Sequence, residues 1–144
     1  MQDFIEREIT VKAPKERVYT AISDPKEITT WFPNSVTGTF AVDQQATFDF
    51  GEDGTAEIYV VAAQPFEYFA FRWYTGNESI KSVLEAPHTL VEFHIEEVSA
   101  GTKVTVKESG FNSLPAEVAE KNFTGNTSGW KYMIGRLEEV MNQA

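Results

Sequence analysis

The sequence predicts an α+β fold in which a curved antiparallel β-sheet of about six or seven strands wraps around one long C-terminal helix. Residues 36–109 alternate between apolar and polar positions in short runs separated by turn residues, as antiparallel strands do. An apolar stripe at helical spacing follows, and it needs a sheet to pack against. Two short helical patterns separate this sheet region from a first strand. The stripe consists of Trp130, Met133, Ile134, Leu137, Val140 and Met141.

The first strand is predicted over residues 5–12, where inward and outward positions alternate. Three of the inward residues are apolar, and the fourth is Arg7. Pro14 then occupies a position that suits the first turn of a helix, because proline needs no amide hydrogen there. The first helix that follows has its apolar residues at helical spacing, namely Val18, Ala21 and Ile22.

A second short helix is predicted to begin at the Asp-Pro pair of residues 24–25, since aspartate caps helices and proline fits their first turn. Its apolar residues Ile28, Trp31 and Phe32 recur at spacings of three and four. Pro33 ends it, because proline cannot continue the hydrogen-bond ladder of a helix.

The remaining strands form a meander joined mainly by tight turns. Their predicted ranges are 36–40, 46–50, 55–63, 66–73, 90–98 and 102–109. The predicted inward rows are Ala46/Phe48/Phe50, Ile58/Val60, Phe69/Phe71/Trp73, Val91/Phe93/Ile95 and Val104/Val106. Residues 74–89 lack a clear pattern, and we expect a further strand piece or an ordered turn there.

The last helix is predicted from the residue after Pro115 to about Met141. Its middle, residues 123–129, has poor helix propensity, because each glycine costs up to about 1 kcal/mol relative to alanine. Either the helix breaks there or small residues are needed. We expect Gly129 to let the backbone approach the sheet while Trp130 packs into it.

Length, charge and composition limit the possible functions. A chain of 144 residues buries roughly 70% of its unfolded surface without a disulfide or a metal. The net charge of −10 disfavours nucleic acid and anionic membrane surfaces as partners. The first eight residues lack the basic and apolar regions of a signal peptide, and the chain has no apolar run long enough to span a membrane. We therefore expect a cytoplasmic protein, and a monomer.

The residues that usually carry catalysis or bind metal are sparse. There is no cysteine, and the two histidines, His88 and His94, are too few and too far apart for a zinc site. No Gly-x-Ser-x-Gly turn is present to expose a nucleophilic serine. We therefore expect no cofactor, no metal and no catalytic residue that the sequence can identify.

Four short motifs, in this order along the chain, resemble the family of activators of the 90-kDa heat-shock chaperone ATPase. They are residues 7–14 running into Val18, Asp24-Pro25 followed by Trp31, Glu108-Ser109-Gly110-Phe111, and Gly129-Trp130 with Leu137. This family lies within the START and birch-pollen-allergen superfamily of helix-grip domains. The resemblance covers essentially the whole chain, which we interpret as a single domain over residues 1–144. It implies a β-α-α-β6-α order with the last helix across the sheet, as the patterns above also predict.

The resemblance implies that the first and last strands pair, which would let Arg7 and Glu108 meet inside the sheet. Such a pair would either anchor a polar ligand group or serve as a structural ion pair. The superfamily's cavity lies between the sheet and the last helix, and the predicted ligand-binding residues are an apolar set with a few polar groups. They are Arg7, Trp31, Phe48, Phe50, Phe71, Trp73, Phe93, Glu108, Phe123, Asn126, Thr127, Trp130 and Ile134.

Superfamily members share a cavity rather than one reaction, so three functions stay open. The first is a non-enzymatic carrier or sensor of a small hydrophobic molecule, either aromatic or lipid-like. The second is a protein-interaction module of the chaperone-activator kind, with a chaperone as its partner. The third is a cyclase-like or hydrolytic enzyme that uses Arg7 and Glu108 in the same cavity.

Overall fold

The computed structural model describes residues 3–76 and 79–143. These residues form seven antiparallel strands in one sheet, in the order β1-β7-β6-β5-β4-β3-β2. The strands are β1 (Phe4–Val11), β2 (Ser35–Gly38), β3 (Gln45–Asp49), β4 (Thr55–Gln64), β5 (Tyr68–Tyr74), β6 (Thr89–Val98) and β7 (Gly101–Ser109). The first strand thus pairs with the last, as the resemblance implies.

Two helical segments lie between β1 and β2, as predicted. They are α1 (Lys15–Ser23) and a 3₁₀ helix (Glu27–Thr30). The carboxylate of Asp24 accepts hydrogen bonds from the backbone amides of Lys26 and Glu27, at 2.9 and 3.1 Å, and so caps the second segment. Residues 74–89 contain a further 3₁₀ turn (Val83–Glu85), while residues 77 and 78 lie outside the described ranges.

The long helix α2 (Ala116–Asn142) packs its apolar stripe against the sheet. Trp130, Ile134, Leu137 and Met141 are buried, and Met133 and Val140 pack against the same core. The inward rows predicted for the strands are buried as well, except for the half-buried Phe50. The predicted α+β fold with a sheet wrapped on a C-terminal helix is therefore confirmed.

The glycines of α2 do not have the predicted packing role. The helix continues through residues 123–129 without a break. A Cβ atom added at Gly125 or Gly129 would meet no atom within 4 Å outside the helix's own neighbouring backbone. Our expectation that Gly129 permits a close approach to the sheet was wrong, because the residue lies on an exposed part of the helix.

Replacing Gly129 with alanine should therefore stabilise the protein. Alanine restricts the unfolded chain and favours the helix, so the unfolding free energy should rise by up to about 1 kcal/mol. Chemical denaturation measures this change. Gly110→Ala is the contrasting control and should destabilise, because Gly110 has a φ of +98°. A lower denaturation midpoint for Gly129→Ala would show that the glycine is needed for packing.

Candidate functional site: a buried glutamate beside an aromatic cavity

The buried carboxylate of Glu108 links the sheet to α2. Its side chain is only 1% exposed. The inward face of β7 carries Thr102, Val104, Val106 and Glu108, all buried, so alternation along the strand points Glu108 into the core. Glu108 stands opposite Val91 of β6 on one side and Ile5 of β1 on the other. A charged group at the last inward position of a buried strand requires polar partners.

Four neutral side chains supply those partners. The indole Nε1 of Trp130 donates to Oε1 of Glu108 at 2.8 Å, and that of Trp73 donates to Oε2 at 2.8 Å. The hydroxyl of Thr89 donates to Oε2 at 2.5 Å. The amide Nδ2 of Asn126 lies 3.1 Å from both oxygens. Together they join β5, β6, β7 and α2 at one point.

Strand register and helix spacing bring these donors together. Trp73 and Thr89 are directly opposite in the β5–β6 pair, so both side chains project from the same face of the sheet. Asn126 and Trp130 are four residues apart and therefore share one face of α2. The hydrogen bonds to Glu108 thus depend on the pairing of β5 with β6 and on the packing of α2 against the sheet.

Burial raises the pKa of Glu108 above its ordinary value of 4.5, because removal from water disfavours the charged carboxylate. The hydrogen bonds from Thr89, Trp73, Trp130 and Asn126 act in the opposite direction, since they stabilise the charge. They compensate for burial only in part. The carboxylate is therefore easier to protonate in the folded protein than in the unfolded chain.

The predicted pair between Arg7 and Glu108 does not form. Arg7 lies opposite Val106 in the β1–β7 pair, one inward position away from Glu108. Within the described ranges, the ion pairs are Lys15–Glu97, His94–Glu92 and Lys103–Glu8. The prediction failed because strand pairing fixes which backbones are neighbours but not which polar groups reach a buried carboxylate. Indole, hydroxyl and amide groups fill that role here.

A cavity of about 430 Å³ lies next to this network, between α2 and the β3–β5 end of the sheet. We call it the aromatic cavity, because four aromatic rings line it. The rings of Trp73 and Trp130 pack on each other with centroids 5.6 Å apart and planes inclined by 33°, and the centroid of the Phe32 ring lies 5.2 Å from that of Trp130. The full lining is Phe32, Phe50, Asp53, Thr55, Ala56, Trp73, Thr75, Gly125, Asn126, Gly129, Trp130 and Met133.

A second cavity, of about 560 Å³, lies on the other side of Trp73 and Asn126. We call it the Glu108 cavity, because the carboxylate itself lines it. Thr89 lines it from the start of β6, His88 from the residue before that strand, and Lys121 from α2. Trp73, Thr75 and Asn126 line both cavities and so form the wall that they share.

The structure gathers only some of the predicted ligand-binding residues around these cavities. Phe50, Trp73, Asn126 and Trp130 line the aromatic cavity, and Glu108 lines the second. The remaining predicted residues line neither cavity. They are Arg7, Trp31, Phe48, Phe71, Phe93, Phe123, Thr127 and Ile134.

Most of these other residues pack in the core. The Phe71 ring lies 5.7 Å from that of Phe48 and 6.3 Å from that of Phe93, and all three are fully buried. Phe123 packs edge-to-face on Phe111 at 5.2 Å, and Thr127 donates its hydroxyl to the Phe123 carbonyl within α2. Aromatic packing thus fills the middle of the interior, and the open space is at one end.

Among the residues of this region that sequence reasoning missed are Phe32, Thr89 and Met133. Phe32 and Met133 belong to apolar stripes that we interpreted as core, although both line the aromatic cavity. Thr89 lay in the segment without a clear pattern. The alternation Thr89, Val91, Phe93, Ile95 on β6 is the signal that extends the inward row to Thr89.

The described residues contain no group of three or more His, Asp or Glu side chains placed to hold a metal ion. His94 lies on the outer face of β6, where its ring packs at 4.9 Å from that of Tyr68. No helix in the described part of the chain combines the length and the apolar character that crossing a bilayer requires.

The sheet order, the two helical segments after β1 and the long last helix packed across the sheet define a helix-grip domain of the START-like class. The family model described as "Activator of Hsp90 ATPase homolog 1-like protein" matches residues 12–142. The chain therefore belongs to this family, and the family predicted from the four sequence motifs is confirmed. Comparison with curated proteins finds no match.

Several solved structures share the fold. DynU16, described as a protein in the dynemicin biosynthetic locus, has a TM-score of 0.77 at 23% identity, and the match covers 96% of this chain. It covers 47% of DynU16, so the chain spans about half the length of that protein. The Aha1 dimer from Colwellia psychrerythraea has a TM-score of 0.75 at 19% identity, over 98% of this chain and 97% of that one. CalU16 from Micromonospora echinospora has a TM-score of 0.67 at 17% identity, over 96% and 74%.

Proposed function

We propose that this protein binds a small hydrophobic molecule, aromatic or lipid-like, in the aromatic cavity, as a non-enzymatic carrier or sensor. The observation that carries the proposal is a space of about 430 Å³ walled by Phe32, Phe50, Trp73 and Trp130. Small-molecule sites typically have volumes of about 300–1,000 Å³ and a mainly apolar lining with a few polar groups. Asn126 and Thr55 supply such polar groups.

The energetics of burial support a ligand that fills this space. A molecule that fills this space gains about 25 cal/mol for each Å² of apolar surface that it removes from water. Association costs take back several kcal/mol, which leaves an affinity in the micromolar range for a ligand that fills the cavity. Fragments that bury half as much surface should bind weakly.

A fluorescence titration tests the proposal, because Trp73 and Trp130 both line the cavity. Flat aromatic compounds of drug-like size should change the tryptophan emission saturably. Gly129→Leu should abolish this binding, since a side chain at Gly129 projects from a cavity-lining position with open space around it. Gly135→Leu is the matched control, because Gly135 also has open space but does not line the cavity.

Two results would count against the proposal. One is a wild-type protein that folds normally yet binds no member of a broad apolar library. The other is equal loss of binding in Gly129→Leu and Gly135→Leu, which would indicate a general effect on α2 rather than a filled cavity.

The family description supports a second candidate, a protein-interaction module that activates a chaperone. Its test is the ATPase rate of a purified 90-kDa chaperone with and without this protein. An increase that survives in Gly129→Leu would favour the interaction module over the carrier. An enzymatic function has less support, because both oxygens of Glu108 already accept hydrogen bonds.

We also propose that the chain acts in the cytoplasm as a single-domain monomer. The net charge of −10 suits a dissolved protein.

A further inference from the structure

Glu108 bridges α2 and β5 beside the aromatic cavity. Its two carboxylate oxygens accept from indoles on different elements, Oε1 from Trp130 of α2 and Oε2 from Trp73 of β5, both at 2.8 Å. Asn126 of α2 also donates, at 3.1 Å to each oxygen. All three donors line the aromatic cavity, whereas Glu108 itself is not among its described lining residues. One carboxylate behind the cavity wall therefore holds three side chains of that wall.

The donors around Glu108 match a charged carboxylate. An indole N–H donates and cannot accept, so neither tryptophan can take a proton from Glu108. Only the hydroxyl of Thr89 and, after rotation of its amide, Asn126 can accept one. Hydrogen bonds to a charged acceptor are also roughly twice as strong as those between neutral groups. Protonation of Glu108 therefore weakens the bonds to both indoles and forces a rearrangement at Thr89 or Asn126.

We infer that Glu108 is the positioning residue of the aromatic cavity: its charged form holds Trp130 and Asn126 in place relative to Trp73, and ligand affinity follows its ionisation. This inference rests on the proposed function of the cavity and adds the regulation of that function by pH. A wall that is already fixed spares the ligand the cost of ordering it. The neutral form of Glu108 leaves that cost to the ligand, so the affinity should be lower.

The pH dependence has a definite sign. Burial raises the pKa of Glu108 above 4.5, and the hydrogen bonds from its partners, that from Thr89 foremost, lower the pKa again in part. Affinity should therefore be highest above the folded pKa and should fall as the pH drops through it. Because the ligand prefers the charged form, its binding in turn lowers the pKa of Glu108.

Other ionisable side chains lie around the same network. In the described part of the chain, none of them forms an ion pair with Glu108. They are Arg7 on the inward face of β1, Tyr74, His88 and Lys121 in the Glu108 cavity, and Asp53 in the aromatic cavity. Histidine and aspartate change charge in acidic solution, so His88 and Asp53 require control variants.

The test is the affinity of N-phenyl-1-naphthylamine, an uncharged fluorescent ring compound, measured from pH 4.5 upward. In the wild type, the affinity should fall about tenfold between the charged and the neutral form of Glu108, because the hydrogen bonds that fix the wall lose roughly half their strength. Glu108→Gln should bind at the weaker level at every pH. Circular dichroism at each pH establishes that the protein is folded.

Thr89→Val and Thr89→Ser form a matched pair that changes Glu108 without changing the lining of the aromatic cavity. Thr89 donates to Oε2 of Glu108 and lines the Glu108 cavity. Valine removes this donor, which raises the pKa of Glu108, so the midpoint of the affinity profile should move to higher pH. Serine keeps the hydroxyl and should keep the midpoint near that of the wild type. A merely structural role of Glu108 would not move the midpoint.

Several results would overturn the inference and leave the proposed cavity function in place. They are a wild-type affinity that does not depend on pH, a midpoint that is unchanged in Thr89→Val, and a pH dependence that disappears in Asp53→Asn or His88→Gln. If either Glu108→Gln or Thr89→Val fails to fold, the other variant decides together with the wild-type profile. Failure of the probe to bind at any pH, together with no binding across the apolar library, overturns the proposed function as well.

Discussion

Replacement of Trp130 with alanine should lower the unfolding free energy by about 3–5 kcal/mol. Trp130 is 2% exposed, and its ring lies within about 6 Å of the rings of Phe32, Trp73 and Phe93. The substitution removes a large apolar side chain from the contact between α2 and the sheet. It also removes one of the donors to the buried carboxylate of Glu108. Denaturant unfolding monitored by circular dichroism measures the loss.

Trp130→Phe separates the two contributions. Phenylalanine keeps most of the apolar area and lacks the N–H, so its cost should be about 1.5–3 kcal/mol, as expected for a lost hydrogen bond to a buried charged group. If Trp130→Ala costs less than about 1 kcal/mol, α2 is not held to the sheet through this residue. If Trp130→Phe costs as much as Trp130→Ala, the hydrogen bond to Glu108 dominates over packing.

The stability of the wild-type protein should fall, relative to that of Glu108→Gln, as the pH rises above 4.5. Burial raises the pKa of Glu108 in the folded state, so the folded protein holds a proton that the unfolded chain has already released. The stabilisation due to this proton is fully present below pH 4.5 and is lost as the pH rises through the folded pKa. Within that window the slope approaches about 1.4 kcal/mol per pH unit.

Unfolding free energies measured across this pH range for the wild type and Glu108→Gln give the difference directly. Glu138→Gln, which changes an exposed glutamate of α2, controls for the general effect of removing one negative charge. Parallel pH profiles for the wild type and Glu108→Gln would contradict the raised pKa. A difference of opposite sign would show that the hydrogen bonds from these four side chains outweigh the burial of the carboxylate.

The fold was predictable because its signals are local and repeated. Alternation along each strand identified inward rows such as Phe69/Phe71/Trp73, and these positions are buried. Helical spacing identified the buried stripe of α2. The second short helix was also found, because Asp24 and Pro33 mark its two ends with specific backbone chemistry. Such patterns depend on neighbours within a few residues.

The candidate site was less predictable, because it depends on contacts between distant parts of the chain. Glu108 was expected to pair with a cation, and the register instead brings Trp73 and Thr89 to it from neighbouring strands. Whether an inward aromatic residue fills the core or lines a cavity depends on how rings from several elements pack together. Phe71 and Trp73 are two residues apart on one face of β5, yet only Trp73 lines a cavity described here.

The most direct test of ligand binding in the aromatic cavity is the response of the three indole N–H signals in a heteronuclear NMR titration. Trp73 and Trp130 line the cavity, whereas Trp31 is fully buried and donates its N–H to the Ala21 carbonyl at 2.8 Å. Trp31 is therefore an internal control. With a flat aromatic compound of drug-like size, we predict saturable shifts of the Trp73 and Trp130 signals and little change at Trp31. Equal shifts at all three, or none with any ligand, would contradict a binding site in this cavity.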